Sequence, residues 1–260
     1  MRSPARLCYL PRMHWVFLVA FLAGASDAAE PSTLTVAQSR PVSPAPPPMS
    51  LTDALALEAG GDDTGALQAV EALVRSRPEW ELPRLEAARL LLKVGGSVEQ
   101  AEAHLEVATR VAPTNPRAWY LRGLLWEEKG NAFQAARAYE TAVQHRASYE
   151  EARFRLGGLW VSLGDLLKAE LHYRYLARAR PEWVQVRLQL ADVLEKQERL
   201  LDAETELLAA RSVQPDSHLV LRKLADFYDR TERPQLAAKV RKSLEPQEKR
   251  RMRALKPSRR

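Results

Sequence analysis

Cysteine is nearly missing from these 260 residues. The one cysteine, Cys8, lies ahead of an apolar run near the N-terminus. The rest of the chain therefore has no means to form a disulfide or a thiolate metal site. Glycine is also scarce, at 11 residues, and no G-x4-G-K-[ST] loop that could cradle phosphate occurs; Gly95-Gly96 reads as a two-residue turn. His104, His145, His172 and His218 are scattered, with no pair at metal-ligand spacing. Adjacent acids such as Glu127-Glu128 and Glu150-Glu151 fall on helical stretches, where successive side chains point in different directions and make no acid–base pair. The expectation is a protein that is not an enzyme, with no catalytic residues, cofactor, metal or small-molecule substrate. A long hydrophobic run is lacking too. The run from Trp15 to Ala25 has 11 residues, against roughly 20 for a membrane-spanning helix.

What is present begins with unevenly spread charge. The formal net charge is +6, yet it resides at the ends. Arg2, Arg6 and Arg12 stand in the first 25 residues without an acid. Lys249, Arg250, Arg251, Arg253, Lys256, Arg259 and Arg260 stand in the last 14 against Glu248 alone. The middle is slightly acidic, so the basic balance describes two termini and not a basic domain face. Arginines, a short apolar run and then Ala23-Gly24-Ala25 and Ser26-Asp27-Ala28 make residues 1–28 resemble a secretory signal peptide. Cleavage after Ala25 or Ala28 gives an exported, periplasmic or secreted protein; retention gives one anchored in the inner membrane. Residues 29–49 are rich in Pro, Ser and Ala and end in Pro46-Pro47-Pro48, which reads as an extended linker. Ser50-Leu51-Thr52-Asp53 has the pattern of a capping box, and a helix is expected from there.

A ladder then repeats. Trp119, Gly123 and Trp126 share one helical face, Gly130 interrupts, and Ala135, Tyr139 and Ala142 share a second face. Small residues recur at Ala66, Ala101, Ala135, Ala169, Ala203 and Ala237, and on the preceding helix at Ala54, Ala88, Gly123, Gly157, Ala191 and Ala225. The period is 34 residues, with one unit of 35 whose extra residue fits best in the turn Gly95-Gly96-Ser97, where it leaves both helices in register. Large side chains at Val70, Leu105, Tyr139, Tyr173 and Leu207 follow four residues after the small ones. Arg241 takes that place in the last unit, where charge suits a repeat with no neighbour beyond it. The helix from about Pro234 to Leu244 is therefore expected to be the solvated cap.

The spacing W-x3-G-x2-W followed by A-x3-Y-x2-A resembles the tetratricopeptide repeat. The resemblance covers about three quarters of the chain. It implies an all-α, tetratricopeptide-type α-solenoid of about six helix–turn–helix pairs wound as a right-handed superhelix. The repeats are read at 47–80, 81–115, 116–149, 150–183, 184–217 and 218–246, within a domain at 50–246. The resemblance also implies a groove lined by the first helix of each pair that holds a protein or peptide partner. The partner-binding residues it indicates here are Leu85, Tyr120, Leu124, Phe154 and Leu188. These suggest an apolar or aromatic segment. The Lys and Asn with which one subgroup grips a C-terminal carboxylate are not at these places.

Two further features leave alternatives open. The sequence Arg-Pro-Glu-Trp occurs twice between repeats, ending at Trp80 and Trp183; the tryptophans either face a partner or pack between repeats. The tail 247–260 is expected to be a disordered, solvated end. Its Lys249, Arg250, Arg251 and Arg253 are the candidates for an anionic membrane, an envelope polymer or, without export, nucleic acid. The tail lacks aromatics, so nucleic acid is the weakest of these, and any such contact would be non-specific.

Overall fold

The computed structural model describes residues 49–254, with side chains up to Leu244. The expected signal peptide and nearly all of the linker lie outside the described residues. Those described form twelve α-helices and no strand: α1 (Leu51–Ala59), α2 (Asp63–Ser76), α3 (Glu81–Val94), α4 (Val98–Val111), α5 (Pro116–Glu128), α6 (Ala132–His145), α7 (Glu150–Ser162), α8 (Leu166–Ala179), α9 (Val184–Lys196), α10 (Leu200–Val213), α11 (His218–Arg230) and α12 (Pro234–Ala254). Consecutive helices pack as pairs, and each pair packs on the next, which makes an all-α solenoid of the tetratricopeptide type.

Local chemistry explains where the helices begin and end. Ser50 and Asp53 make the capping box at the start of α1, each side chain accepting from the other's backbone N–H, at 3.1 and 3.0 Å. Each first helix ends in the same turn. The N–H of Asp62, Gly96, Asn131, Asp165, Arg199 or Arg233 donates to the carbonyl five residues back, at 2.8–2.9 Å. The residue before the donor has positive φ: Gly61, Gly95, Gly130, Gly164, Glu198 and Glu232. In the first, third and fourth pairs the donor itself, Asp62, Asn131 or Asp165, caps the next helix with its side chain. In the second pair Gly96 donates and Ser97 caps. The extra residue of the 35-residue unit thus sits in the turn.

Within a pair, the small residue of the first helix and the large residue of the second are matched in size. A methyl group on Gly123 would overlap the ring of Tyr139, and one on Gly157 would come within 2.7 Å of the ring of Tyr173. Where the first helix carries Ala88 or Ala191, the second carries the narrower Leu105 or Leu207. All four of these large side chains are buried. The core falls into three clusters, one linking α6 through α12 and two smaller ones linking α1–α3 and α3–α5, bridged by the partly buried Leu67, Tyr120 and Leu124.

Between pairs, a repeated side-chain bond fixes the four-residue connection. Arg84, Trp119, Arg153 and Arg187 occupy the same place in successive first helices. Each donates to the carbonyl six residues earlier, on Pro78, Pro113, Ala147 or Pro181, at 2.5–2.8 Å. Trp183 stacks on Phe154 with ring centroids 5.3 Å apart, and the Arg180 guanidinium lies over the same indole at 5.4 Å from its centroid. Trp80 is half-buried beside Arg77. Both tryptophans of the doubled motif therefore pack at the junctions between repeats.

The end of the array departs from expectation in one respect. Arg241 is exposed and paired with Asp229, as a terminal cap requires. The helix does not stop near Leu244, however. The backbone stays helical to Ala254, so the first half of the basic tail continues α12 instead of being disordered. Pro246 lies within it and removes one backbone donor. Pro locally constrains φ to a helical value, and Gln, Glu, Lys, Arg and Met are all good helix formers, so composition permits what charge density alone argues against.

Two stability measurements follow. Gly123→Ala should destabilise the array by about 2–3 kcal/mol through overpacking, and adding Tyr139→Leu should recover part of the loss. Denaturant melts of the four forms would show this as a positive coupling; additive effects would mean that the ring does not depend on the glycine. Glu198→Gly should stabilise by roughly 0.5–1 kcal/mol, because the left-handed conformation costs glycine nothing. An unchanged or lowered melting temperature would count against strain at that turn.

Candidate partner-binding face

The first helices present a common face whose chemistry is set by two positions per turn of the array. The residue after each small residue is Arg89, Leu124, Gly158, Asp192 or Asp226. Three residues further, on the same side of the helix, come Leu92, Glu127, Val161, Glu195 and Asp229. Ion pairs join neighbouring first helices along this face. Glu58 of α1 meets Arg89 and Lys93 of α3, the latter at 2.9 Å. Glu86 meets Arg117 at 2.5 Å, Glu127 meets Arg155 at 2.6 Å, Asp192 meets Lys223, and Glu195 meets Arg230 at 2.6 Å. The bonds from Arg89 and then Lys93 hold the Glu58 carboxyl down to about 2. Between α7 and α9 the rung is uncharged, with Gly158, Val161 and Gln189.

Two depressions open on this face. One, of about 440 Å³, is lined by Val161, Gln189, Asp192, Val193, Glu195, Lys196 and Arg230. The other, of about 470 Å³, is lined by Arg89, Leu92, Lys93, Leu124, Glu127, Glu128 and Arg155. Each has apolar side chains between charges of both signs. Such a surface can hold an extended polypeptide through apolar contacts, with its polar groups answered at the rim.

The five residues indicated by the resemblance do not form one exposed apolar stripe. Leu124 lines the second depression. Tyr120 and Phe154 are half-buried in ring clusters. Tyr120 lies 5.6 Å from Tyr139 and 5.1 Å from Tyr149, and Phe154 lies 5.9 Å from Tyr173 and 5.3 Å from Trp183. Leu85 and Leu188 are fully buried in the core and are removed from the candidate surface. The reason is geometric. Their position, three before the small residue, points into the seam between helices, and only a long aromatic ring there reaches the edge. The residues that line the depressions instead include Arg89, Glu127, Arg155, Asp192, Glu195 and Arg230. Their signal in the sequence is opposite charge about one repeat apart, as in Glu195 and Arg230. Lys249, Arg250, Arg251 and Arg253 lie on the C-terminal part of α12, and their side chains lie outside the described residues.

The buried histidines serve packing. His104 Nε2 is 2.9 Å from Glu71 Oε1, and its Nδ1 is 3.5 Å from Arg84. His172 Nδ1 is 3.5 Å from Arg153. Burial, and then the charge of Arg153, push His172 down to about 4. No group of three His, Cys, Asp or Glu able to hold a metal occurs among the described residues. No helix among them is long and apolar enough to cross a membrane.

Comparison with known proteins agrees with this architecture. A family model described as tetratricopeptide repeat matches residues 85–132, 128–182 and 188–246. No curated protein matches. Among solved structures, a tetratricopeptide protein described as YrrB, with an unusual peptide-binding site, is 19% identical at a TM-score of 0.60, over 69% of this chain and 92% of that one. The PilF protein of Pseudomonas aeruginosa is 16% identical at a TM-score of 0.62, over 75% of this chain and 89% of that one. A MamA protein is 18% identical at a TM-score of 0.57, over 63% of this chain and 88% of that one. At these identities the likeness is one of fold.

His172 gives this region a predicted acid limb. Its folded pKa lies below the unfolded value of 6.5, so the unfolded chain binds more protons between the two. Stability is full above pH 6.5 and falls as pH drops towards 4, by about 1–3 kcal/mol. Thermal melts of the parent and of His172→Gln across this window should differ in slope, the variant being flatter. Parallel slopes would mean that His172 protonates without cost.

Proposed function

The chain belongs to the tetratricopeptide-repeat family, and from that premise we propose that it is a non-enzymatic scaffold of the cell envelope. In this reading it is exported by residues 1–28 and holds an extended partner segment along its first-helix face. The observation that carries the partner site is the pair of depressions on that face, one beside Leu92 and Leu124, the other beside Val161 and Val193, each ringed by charge. The peptide-binding site in the description of the YrrB neighbour supports the same kind of ligand. The segment that fits is not wholly apolar. It alternates apolar side chains with charges of both signs.

The ion pairs do not close the face. Arg155 is 45% exposed where it meets Glu127, and an exposed pair of this kind contributes about 0–1 kcal/mol. A partner carboxylate can therefore exchange with Glu127 on Arg155 at little cost. Tyr120 and Phe154 belong to the proposal as the edges that hold successive repeats at the right spacing.

The test uses the partner that co-purifies with the tagged protein. Leu124→Glu with Val161→Glu should weaken its binding more than about tenfold while lowering the melting temperature less than Tyr120→Ala does, since both side chains are only partly buried at the edge of the core. Tyr120→Ala should do the reverse. If the first pair unfolds the array, or leaves binding intact, the partner lies elsewhere. Export is tested separately: mass spectrometry of the native protein should find an N-terminus at Ser26 or Ala29, and an intact N-terminus would replace the exported reading with an anchored one.

A second reading concerns the tail. The helical continuation of α12 gathers Lys249, Arg250, Arg251 and Arg253 within five residues beyond the last repeat. Such a helix is suited to an anionic membrane or polymer. Removing 247–260 should then abolish capture by anionic vesicles, and salt should weaken it steeply.

A further inference from the structure

The opposite side of the array, formed by the second helices, carries an apolar feature that the first-helix face does not explain. The second residue of the second helix is Phe133, Leu167 and Leu201 in three successive repeats, exposed by 57%, 75% and 80%. On α8 the feature runs along the helix. Leu171 follows Leu167 after one turn and is 64% exposed, and Tyr175 follows after another. A lone exposed leucine is ordinary. Three apolar rungs at i, i+4 and i+8 on one solvent-facing helix, the first of them with equivalents at Phe133 and Leu201 on either side, form the pattern that receives a partner helix.

The charges around the stripe indicate which partner. Lys168 is committed to Asp165 at 3.1 Å and lies 3.8 Å over the Trp160 ring; Arg174 is committed to Glu170 at 2.6 Å. Asp202 of α10 is committed to Arg199. Arg137 occupies on α6 the place that Leu171 holds on α8. It is exposed and has no side-chain partner among the described residues, as is Arg178, three residues beyond Tyr175. Arg211 of α10 is exposed as well. Glu140, half-buried on α6, and Glu198, exposed in the turn before α10, are the acids left over there among the described residues. The uncommitted charge bordering the stripe, with Arg137, Arg178 and Arg211, is therefore positive on balance. A second copy packed antiparallel on this face would bring Arg178 of one chain towards Lys168 and Arg137 of the other, which disfavours self-association.

We propose that the exposed face of α8 docks an amphipathic helix of another protein, its leucines against Leu167, Leu171 and Tyr175 and its acids towards Arg137 and Arg178. This surface is separate from the first-helix face and stands or falls apart from it. The scaffold would then hold two partners at once, an extended segment on one side and an acidic amphipathic helix on the other.

The test uses the full chain and two fluorescein-labelled helical peptides with the same leucine face, one flanked by glutamates and one by lysines. The glutamate peptide should bind at least about tenfold more tightly, with an affinity that falls as salt rises. Leu167→Asp with Leu171→Asp should weaken it by more than about tenfold while the melting temperature stays near that of the parent. Leu124→Glu, on the other face, should leave it unchanged. Equal binding of the two peptides, no binding of the glutamate peptide, or binding that survives the double aspartate change would overturn the proposal. Two other occupants would overturn it as well. One is a dimer in sedimentation that Leu171→Asp dissociates. The other is capture by phosphatidylglycerol vesicles that depends on Leu171 where the glutamate peptide fails to bind.

Discussion

Everything in this array rests on how closely two helices of a pair can approach. Dispersion and burial reward contact only when side chains of one helix fill the gap left by the other. Here the gap is opened by Gly123, Gly157, Ala88 or Ala191 and filled by Tyr139, Tyr173, Leu105 or Leu207. The widest side chains face the glycines and the narrower ones the alanines. The match is made separately in each pair, so one pair can change its size combination while its neighbours keep theirs. The large rings also have a cost: the hydroxyl of Tyr139 and the indole N–H of Trp160 are buried without a hydrogen-bond partner. An unmet polar group of this kind destabilises by about 1–3 kcal/mol. The ring area buried in the third and fourth repeats must exceed that loss.

A pair cannot fold alone, and the joints between pairs use different chemistry from the pairs themselves. The arginine or tryptophan that reaches six residues back holds the connecting loop, and the ring clusters around Tyr149 and Trp183 fill the space above it. Arg153 and Arg187 then extend to the second helix, where they meet His172 and Glu206. The same side chains thus set loop, helix pair and neighbour at once. On the outer rim the interhelix ion pairs add little energy, but their geometry orients adjacent first helices. The candidate partner-binding face is therefore a by-product of how the repeats are joined, and its charges are placed by the same contacts.

The fold was legible from the sequence because its rules are local and repeated. The 34-residue recurrence of small residues, the Ser50 capping box and the turn insertion at Gly96 each depend on a few neighbouring residues, and the helices fall where these place them. The face was less legible. Leu85 and Leu124 both read as apolar residues of a first helix, yet one is buried and the other lines a depression. The difference arises from rotation of the helix against its neighbours, which a single helical pattern does not contain. The ion pairs spanning adjacent repeats were visible as opposite charges, but their pairing depends on how far one repeat is turned relative to the next. The helical stretch to Ala254 is hard to read from sequence because charge density and helix propensity argue in opposite directions there.

The two ends of the array differ in how well each rule is kept. The turns within the first four helix pairs place glycine at the left-handed position, and those within the last two place Glu198 and Glu232 there. The N-cap of α10 is Arg199, which makes no capping bond, where the preceding second helices have Asp, Ser or Asn. Arg199 instead ties Glu170 of the preceding repeat to Asp202 of its own. Local preference has been given up there for a contact between repeats. In a linear array each repeat draws stability only from itself and its neighbours, so weaker local terms near the C-terminus lower the cost of opening that end first. The depression beside Leu124 and the apolar stripe of α8 adjoin the aromatic third and fourth repeats, whereas the depression beside Val193 borders the strained turns, its Lys196 and Arg230 standing two residues before Glu198 and Glu232.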